Sequence, residues 1–282
     1  MKNAVLFGAG QTGAMILRLL SPDYIPLCFA DNSSLRRGTD FCGLPVLSPE
    51  EALSQNPDTV FLCVMDPERI EQMTKQLHEL DYSGEILSSE ALDAFDARCA
   101  TMRLLAKQIT DRNIPGDIAE VGVYKGAFAS RINEALPGRA FHLFDTFEGF
   151  SEHDVTIETA RGLSQAKVGD FSDTSEDSVR RMLPHPEQAA FHKGFFPDTF
   201  AGCEENVFCL VSVDADLYAP TTAALLLFYD RLAPGGALIL HDVNSLQYTG
   251  AGKAVDEFCR SRGIYPVPLC DLHGTVVLMK QS

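Results

Sequence analysis

Six ionisable residues of the chain fall where apolar runs end. Glu120 interrupts residues 118–123, Asp145 closes 140–144, Asp214 and Asp216 follow 207–213, and His241 and Asp242 follow 237–240. In a parallel sheet, ligands bind beyond the carboxyl ends of the strands, so these six groups are expected on one rim. Gathering them there is costly unless a cation or ligand neutralises them. Asp214 and Asp242 are the expected metal pair, because carboxylates are hard oxygen ligands suited to Mg²⁺. A metal that holds an alcohol lowers the pKa of its oxygen and aims it at an electrophile. His241 titrates near neutrality and is the first candidate base, with Asp214 and Asp216 as rivals and His273 near the mouth. Two plainer readings stand beside these: His241 only orients Asp242, and Asp214 only accepts from nearby backbone amides.

Around Glu120 the sequence reads Asp117-Ile118-Ala119-Glu120-Val121-Gly122-Val123-Tyr124-Lys125-Gly126. A strand, a glycine turn and a helix start let a ligand press against bare backbone. The turn is E-x-G-x-x-x-G, and its acid would repel a pyrophosphate. Glu120 suits a ligand with an ammonium group instead; S-adenosylmethionine, which carries an ammonium and a sulfonium, fits. Asp145 is placed to accept from ribose hydroxyls. The expected cofactor contacts are Glu120, Gly122, Val123, Tyr124, Gly126, Asp145, Thr146, Gly194 and Phe195; Phe195 reads equally as core.

The elements that must position these groups form two sets. Residues 1–88 run strand 2–7, Gly8-Ala9-Gly10-Gln11-Thr12-Gly13, helix, strand 25–30, Asp31, then further strands at 59–64 and 85–87. Gly8, Gly10, Gly13 and Asp31 are a candidate nucleotide site, since strand, glycine turn, helix and acid come in the right order. Only one mononucleotide half is present, and the glycines serve close strand–helix packing equally well. Residues 89–113 read as a helical connector with Leu92, Phe95, Met102, Leu105 and Ile109 at helical spacing. Residues 114–282 alternate strand and helix, which predicts a mostly parallel sheet covered on both faces. The last two strands, 265–269 and 275–279, are too close for a crossover and should form an antiparallel edge hairpin. The polar stretch 151–174 is long enough to fold over a substrate as a lid. The fold class is α/β, with two Rossmann-like domains.

The chain has 282 residues, 45% hydrophobic and 22% charged, with a net charge of -16. It is thus expected to be an ordinary globular protein and a poor partner for nucleic acid or an anionic membrane. No apolar run approaches the ~20 residues of a membrane helix, and no signal peptide precedes the first strand. The eight cysteines are scattered without a C-x-x-C pair, give no zinc-ligand spacing, and read as reduced core residues of a cytoplasmic protein. A homo-oligomer stays open.

Residues 1–88 resemble the small nucleotide-binding domains found beside sugar-modifying enzymes and CoA-binding-type modules, on the quoted glycines, Asp31 and Cys42-Gly43-Leu44-Pro45-Val46. From about residue 90 onward the chain resembles the macrocin O-methyltransferase family. Pro115-Gly116 leading into the Glu120 turn, Leu143-Phe144-Asp145-Thr146-Phe147-Glu148-Gly149-Phe150, Asp173-Thr174-Ser175 and Gly194-Phe195-Phe196-Pro197-Asp198-Thr199 carry that resemblance. So do Asp214-Ala215-Asp216-Leu217-Tyr218, Pro234-Gly235-Gly236 and Ala254-Val255-Asp256-Glu257-Phe258. The resemblance implies a class I methyltransferase sheet, S-adenosylmethionine as donor, a divalent metal and a sugar or related hydroxyl as acceptor. The family pattern has two adjacent aspartates after strand five; here the pair is His241-Asp242, which leaves the third metal ligand open. The alternatives are an NAD-linked sugar-nucleotide oxidoreductase built on the first domain, and a non-catalytic ligand-binding protein.

Overall fold

The computed structural model of the chain describes residues 1–89 and 96–281. It divides into two compact units, Met1–Asp96 with Cys270–Leu272, and Ala97–Leu269 with His273–Ser282. Leu92 and Phe95, expected on the connector helix, lie outside the described residues. No helix among the described residues is long and apolar enough to cross a membrane.

The first unit is a six-stranded sheet of β1 (Lys2–Phe7), β2 (Tyr24–Ala30), β3 (Asp40–Phe41), β4 (Leu44–Leu47), β5 (Thr59–Leu62) and β6 (Glu85–Ser88). Their order is β3-β4-β2-β1-β5-β6. Every pairing is parallel except β3–β4, a two-residue hairpin whose turn residues Cys42 and Gly43 both have positive φ. The helices are α1 (Gln11–Leu19), α2 (Pro49–Leu53) and α3 (Pro67–Glu79). Helix α2 starts where the sequence demands it: Ser48 and Glu51 form a reciprocal capping box and Pro49 takes the first turn.

The second unit opens with α4 (Ala97–Asp111). Read from the sequence as a connector, α4 instead belongs to this unit. Cys99, Met102, Ala106 and Ile109 recur every three or four residues and bury an apolar face in the core beside Ile118 and Leu210. Then follow β7 (Asp117–Val121), α5 (Ala127–Ala135), β8 (Phe141–Asp145), α6 (Glu152–Arg161), α7 (Glu176–Met182), β9 (Ala189–Lys193), β10 (Phe208–Val213) and α8 (Tyr218–Phe228). The chain ends with β11 (Leu232–Leu240), α9 (Thr249–Arg262), β12 (Val267–Pro268) and β13 (Val276–Met279). The strand order is β12-β13-β11-β10-β7-β8-β9, with only β13 antiparallel to its neighbours. The expected edge hairpin is therefore present. Strand β10 is buried along its whole length, and separate apolar clusters cover the two sheet faces.

Two local features stand out. Pro234-Gly235-Gly236, whose composition suits a turn, is part of β11, where the register to β10 shifts. There a Cβ on Gly236 would approach the Ala233 carbonyl at 2.9 Å. The polar stretch 151–174 contains α6, capped by Ser151, which accepts from the Asp154 amide.

Candidate active site

All six rim residues line one cavity of about 620 Å³ at the carboxyl ends of β7, β8, β10 and β11. Its size is that of a small-molecule site, for which ~300–1,000 Å³ is usual. Strand register explains the convergence: Glu120 pairs with Ser212 on β10 and Leu143 on β8, and the Asp214 amide donates to the Val121 carbonyl.

Glu120 lies in the floor, 1% exposed. Ser212 Oγ donates to its Oε1 at 3.3 Å, while Oε2 has no hydrogen-bond partner among the described residues. Burial raises its pKa to about 8; nearby Arg98 works against that rise and Asp214 adds to it. The free protein thus holds Glu120 largely uncharged at neutral pH, waiting for a positive group.

Arg98, which sequence reasoning missed, comes from α4 and is 8% exposed. Its Nη1 donates to Asp214 Oδ2 at 2.7 Å and its Nη2 to Ser212 Oγ at 3.1 Å, and the guanidinium lies 3.8 Å over the Phe128 ring. Burial disfavours its charge, but the Asp214 carboxylate, joined by Glu120 once that group ionises, outweighs it and keeps Arg98 charged. Asp214 is therefore already half neutralised by protein. The only sequence signal for this was an arginine placed on the apolar side of a helix.

Asp145 accepts from the amides of Val123 (2.7 Å) and Tyr124 (2.9 Å) at Oδ2 and from Phe147 (2.7 Å) at Oδ1. The amides that would cradle a phosphate elsewhere are consumed by this carboxylate, so the turn is no anion site. Oδ2 is filled by its two donors, and Oδ1 keeps a second lone pair for a hydroxyl. Gly122 has φ +81°, and a Cβ there would sit 2.0 Å from the Asp214 carbonyl oxygen. Gly126 has φ +79°, with Val179 2.8 Å from a Cβ. Gly122, Val123, Tyr124, Thr146 and Gly194 all line the cavity, whereas Gly126 stands behind it. Phe195 lies outside the lining too; its ring packs edge-on against His153, and Phe196 supplies the wall instead. Both lie in the bend that follows β9, where neither strand nor helix period applies, so the sequence could not say which phenylalanine faced inward.

Asp214, Asp216 and Asp242 bring oxygens within 4.8 Å of one another, as do the ligand atoms of His241, Asp242 and His273. Burial, then repulsion from Asp214 and Asp242, holds Asp216 well above the usual carboxylate range. Burial also pushes Asp242 upward, but hydrogen bonds from His273 and from Asp216 help to outweigh it, and Asp242 stays below that range. His273 Nδ1 is 2.9 Å from Asp242 Oδ1. A cluster that keeps one proton for want of positive charge fits a hard dication. The pair best suited is Asp216 and Asp242, because Arg98 already occupies Asp214. His241 Nδ1 meets Thr275 Oγ1 at 2.9 Å, and burial lowers its pKa, so the ring is neutral near pH 7.

The mouth carries Tyr124, Phe150, Phe171 and Tyr248, edge-on pairs of which lie 5.2–5.9 Å apart. Helix α6 is held at the start of α8: buried Glu158 accepts from the Tyr218 amide, and Arg161 lies 4.4 Å over the Tyr218 ring.

In the first unit, Gly8, Gly10 and Asp31 line a separate cavity of about 550 Å³. Gly13 does not, because it serves packing: a Cβ there would meet the Gly8 carbonyl at 2.2 Å and Phe29 at 2.8 Å. Asp31 accepts from the Ala9 and Ser33 amides, and Arg36 donates to Asp31 and to the Ala9 carbonyl.

The profile of the macrocin-O-methyltransferase (TylF) family matches residues 94–281. A tetracenomycin 4'-O-methyltransferase of Streptomyces olivaceus, named for a dimethoxy-rhamnosyl substrate, is 25% identical over 66% of this chain and 73% of its own. The mycinamicin III 3''-O-methyltransferase of Micromonospora griseorubida is 30% identical over 46% of this chain and 56% of its own. Among solved structures, the calicheamicin methyltransferase CalS11 superposes with a TM-score of 0.55 at 21% identity, covering 76% of this chain and 86% of that one. The O-methyltransferase NovP gives 0.53 at 23%, covering 66% and 80%. These two share the fold.

Proposed function

The chain belongs to the macrocin O-methyltransferase family and is an S-adenosylmethionine-dependent O-methyltransferase; from that premise we propose that it methylates a hydroxyl of a sugar or sugar-bearing small molecule with the help of Mg²⁺. One observation carries the assignment of the cavity: a fully buried carboxyl, Glu120, has an oxygen without a partner and lacks only an ammonium to charge it. When bound, the donor supplies a methyl group made electrophilic by its sulfonium. Glu120 anchors the ammonium end, and the spare lone pair of Asp145 Oδ1 accepts from the ribose. Gly194 and Phe196 form the wall beside them. Arg98 keeps Asp214 and the floor from repelling one another when Glu120 ionises.

Asp216 and Asp242 are the residues that would hold Mg²⁺, with Asp214 beside them. The ion would supply a lowered pKa for an acceptor hydroxyl. His241, neutral and fixed by Thr275, is the group that takes the hydroxyl proton. Proximity of the acceptor to the methyl supplies much of the acceleration. The aromatic mouth suits the apolar face of a sugar ring, and the relative named for a rhamnosyl substrate supports that acceptor class.

The test is methyl transfer from isotope-labelled S-adenosylmethionine to a panel of glycosylated natural products and nucleotide sugars, with Mg²⁺ or with EDTA. Labelled sugar only with Mg²⁺ is the expected result. Label on a carboxyl or amine, or transfer indifferent to EDTA, would overturn acceptor class or metal respectively. For the first unit, Arg36 beside the open glycine turn favours a phosphate-bearing ligand in its own cavity. Nucleotide binding that is lost in Arg36→Ala checks that reading.

A further inference from the structure

Away from the acidic rim, three residues distant in sequence converge below the cavity wall. His142 is on β8, His192 on β9, and Cys203 in the turn before β10. His142 Nδ1 and His192 Nε2 are 3.0 Å apart, and Cys203 Sγ is 3.7 Å from the first and 4.0 Å from the second. None of the three lines the cavity. Cys203 is 2% exposed and His142 9%, among Phe144, Phe208 and Phe200. We infer that His142, His192 and Cys203 form a second metal site, for a borderline-soft dication of the Zn²⁺ class.

The geometry carries this. A tetrahedral Zn²⁺ with N at about 2.05 Å and S at about 2.3 Å needs ligand atoms about 3.3 Å apart for N–N and about 3.6 Å for N–S. The three observed separations lie within half an ångström of those edges. The outer shell is equally specific. Asp117 Oδ2 is 3.3 Å from His142 Nε2 and also accepts from Asn206 Nδ2 at 2.9 Å. Both nitrogens donate to that one oxygen, which is why they lie 3.2 Å apart. Asp117 thereby fixes the proton of His142 on Nε2 and leaves the Nδ1 lone pair facing Cys203 and His192. A carboxylate behind a ligating imidazole is the usual second support of a zinc histidine. Among the described residues no fourth His, Cys or acid joins the group, so water completes the coordination. On binding, the Cys203 thiol loses its proton to solvent, and His192 moves its own from Nε2 to Nδ1. The ion pins β8, β9 and the 201–206 turn, the elements whose far ends present Asp145, Gly194 and Phe196. Sequence spacing could not reveal it, since its ligands share no short motif.

Cobalt is the probe, because a thiolate bound to Co²⁺ gives a near-ultraviolet sulfur-to-metal charge-transfer band and no cysteine lines the acidic cavity. The full chain, reduced and stripped of metal, is titrated with Co²⁺. One equivalent is expected to produce the band, in the wild type and in a Cys42→Ser/Cys270→Ser variant that lacks the exposed thiols. Zn²⁺ should displace it and raise the melting temperature. Cys203→Ser and His192→Gln should each abolish the band and the shift; His192 is only half-buried, so that variant serves if the other fails to fold. A folded wild type without the band, or a band that survives either substitution, overturns the site.

Discussion

Replacing Glu120 by Gln isolates the charge on which donor binding rests. Glu120 is raised from 4.5 to about 8 in the free chain, so ionising it there costs on the order of 5 kcal/mol more than in water. The folded value lies above the unfolded one, so the free chain loses stability as pH rises from about 4.5 to 8. A bound ammonium reverses the preference, and binding must then expel the proton. At pH 7 a group with a pKa of about 8 is roughly 0.9 protonated, so each donor bound should release about one proton. Affinity should rise about tenfold per pH unit between 6 and 8 and level off above. In Glu120→Gln both effects should vanish. Loss of one partner of a buried charge pair costs ~2–5 kcal/mol, so the dissociation constant should rise on the order of 10²-fold or more. Calorimetry in buffers of different ionisation enthalpy counts the protons directly. Proton-neutral binding by the wild type at pH 7, or a Gln variant that binds within threefold of it, would refute the reasoning.

Arg98→Leu leaves Asp214 unpaired in the floor and should cost ~3–5 kcal/mol in urea unfolding; Arg98→Lys should recover part of it. Gly122→Ala, with its Cβ 2.0 Å from the Asp214 carbonyl and φ +81°, should lower stability by at least ~2 kcal/mol. A melting temperature within a degree or two of wild type would contradict that strain. Mg²⁺ is expected to raise the melting temperature of the donor-bound chain relative to EDTA, and Asp242→Asn should abolish that rise while donor binding itself persists.

The rim was legible because ionisable residues that end apolar runs have few structural uses, and a parallel sheet collects strand ends in one place. Glu120, Asp145, Asp214, Asp216, His241 and Asp242 could all be picked out by that rule. What it could not give was pairing. Arg98 lies 116 residues before Asp214, on a helix whose apolar spacing looked like a linker's, and only the packing of α4 turns its guanidinium to the floor. That pair commits Asp214 to a protein cation, which is the reason for proposing Asp216 beside Asp242 as the Mg²⁺ holder. Phe195 and Phe196 lie in the bend after β9, where no regular period says which ring turns inward, and tertiary packing makes that choice. Helix α6 was hidden in polar text, where a serine cap rather than hydrophobic period defines the element. The hairpin β3–β4 has strands of two and four residues, too short to show a period and defined by the turn at Cys42 and Gly43.

A crystal structure of the full chain with S-adenosylhomocysteine and Mn²⁺ tests the arrangement most directly. The ammonium of the ligand is expected at hydrogen-bond distance from the Glu120 carboxylate, its ribose at Asp145, and an anomalous manganese peak between Asp216 and Asp242. Ligand density away from Glu120, or manganese bound without either aspartate, would contradict it.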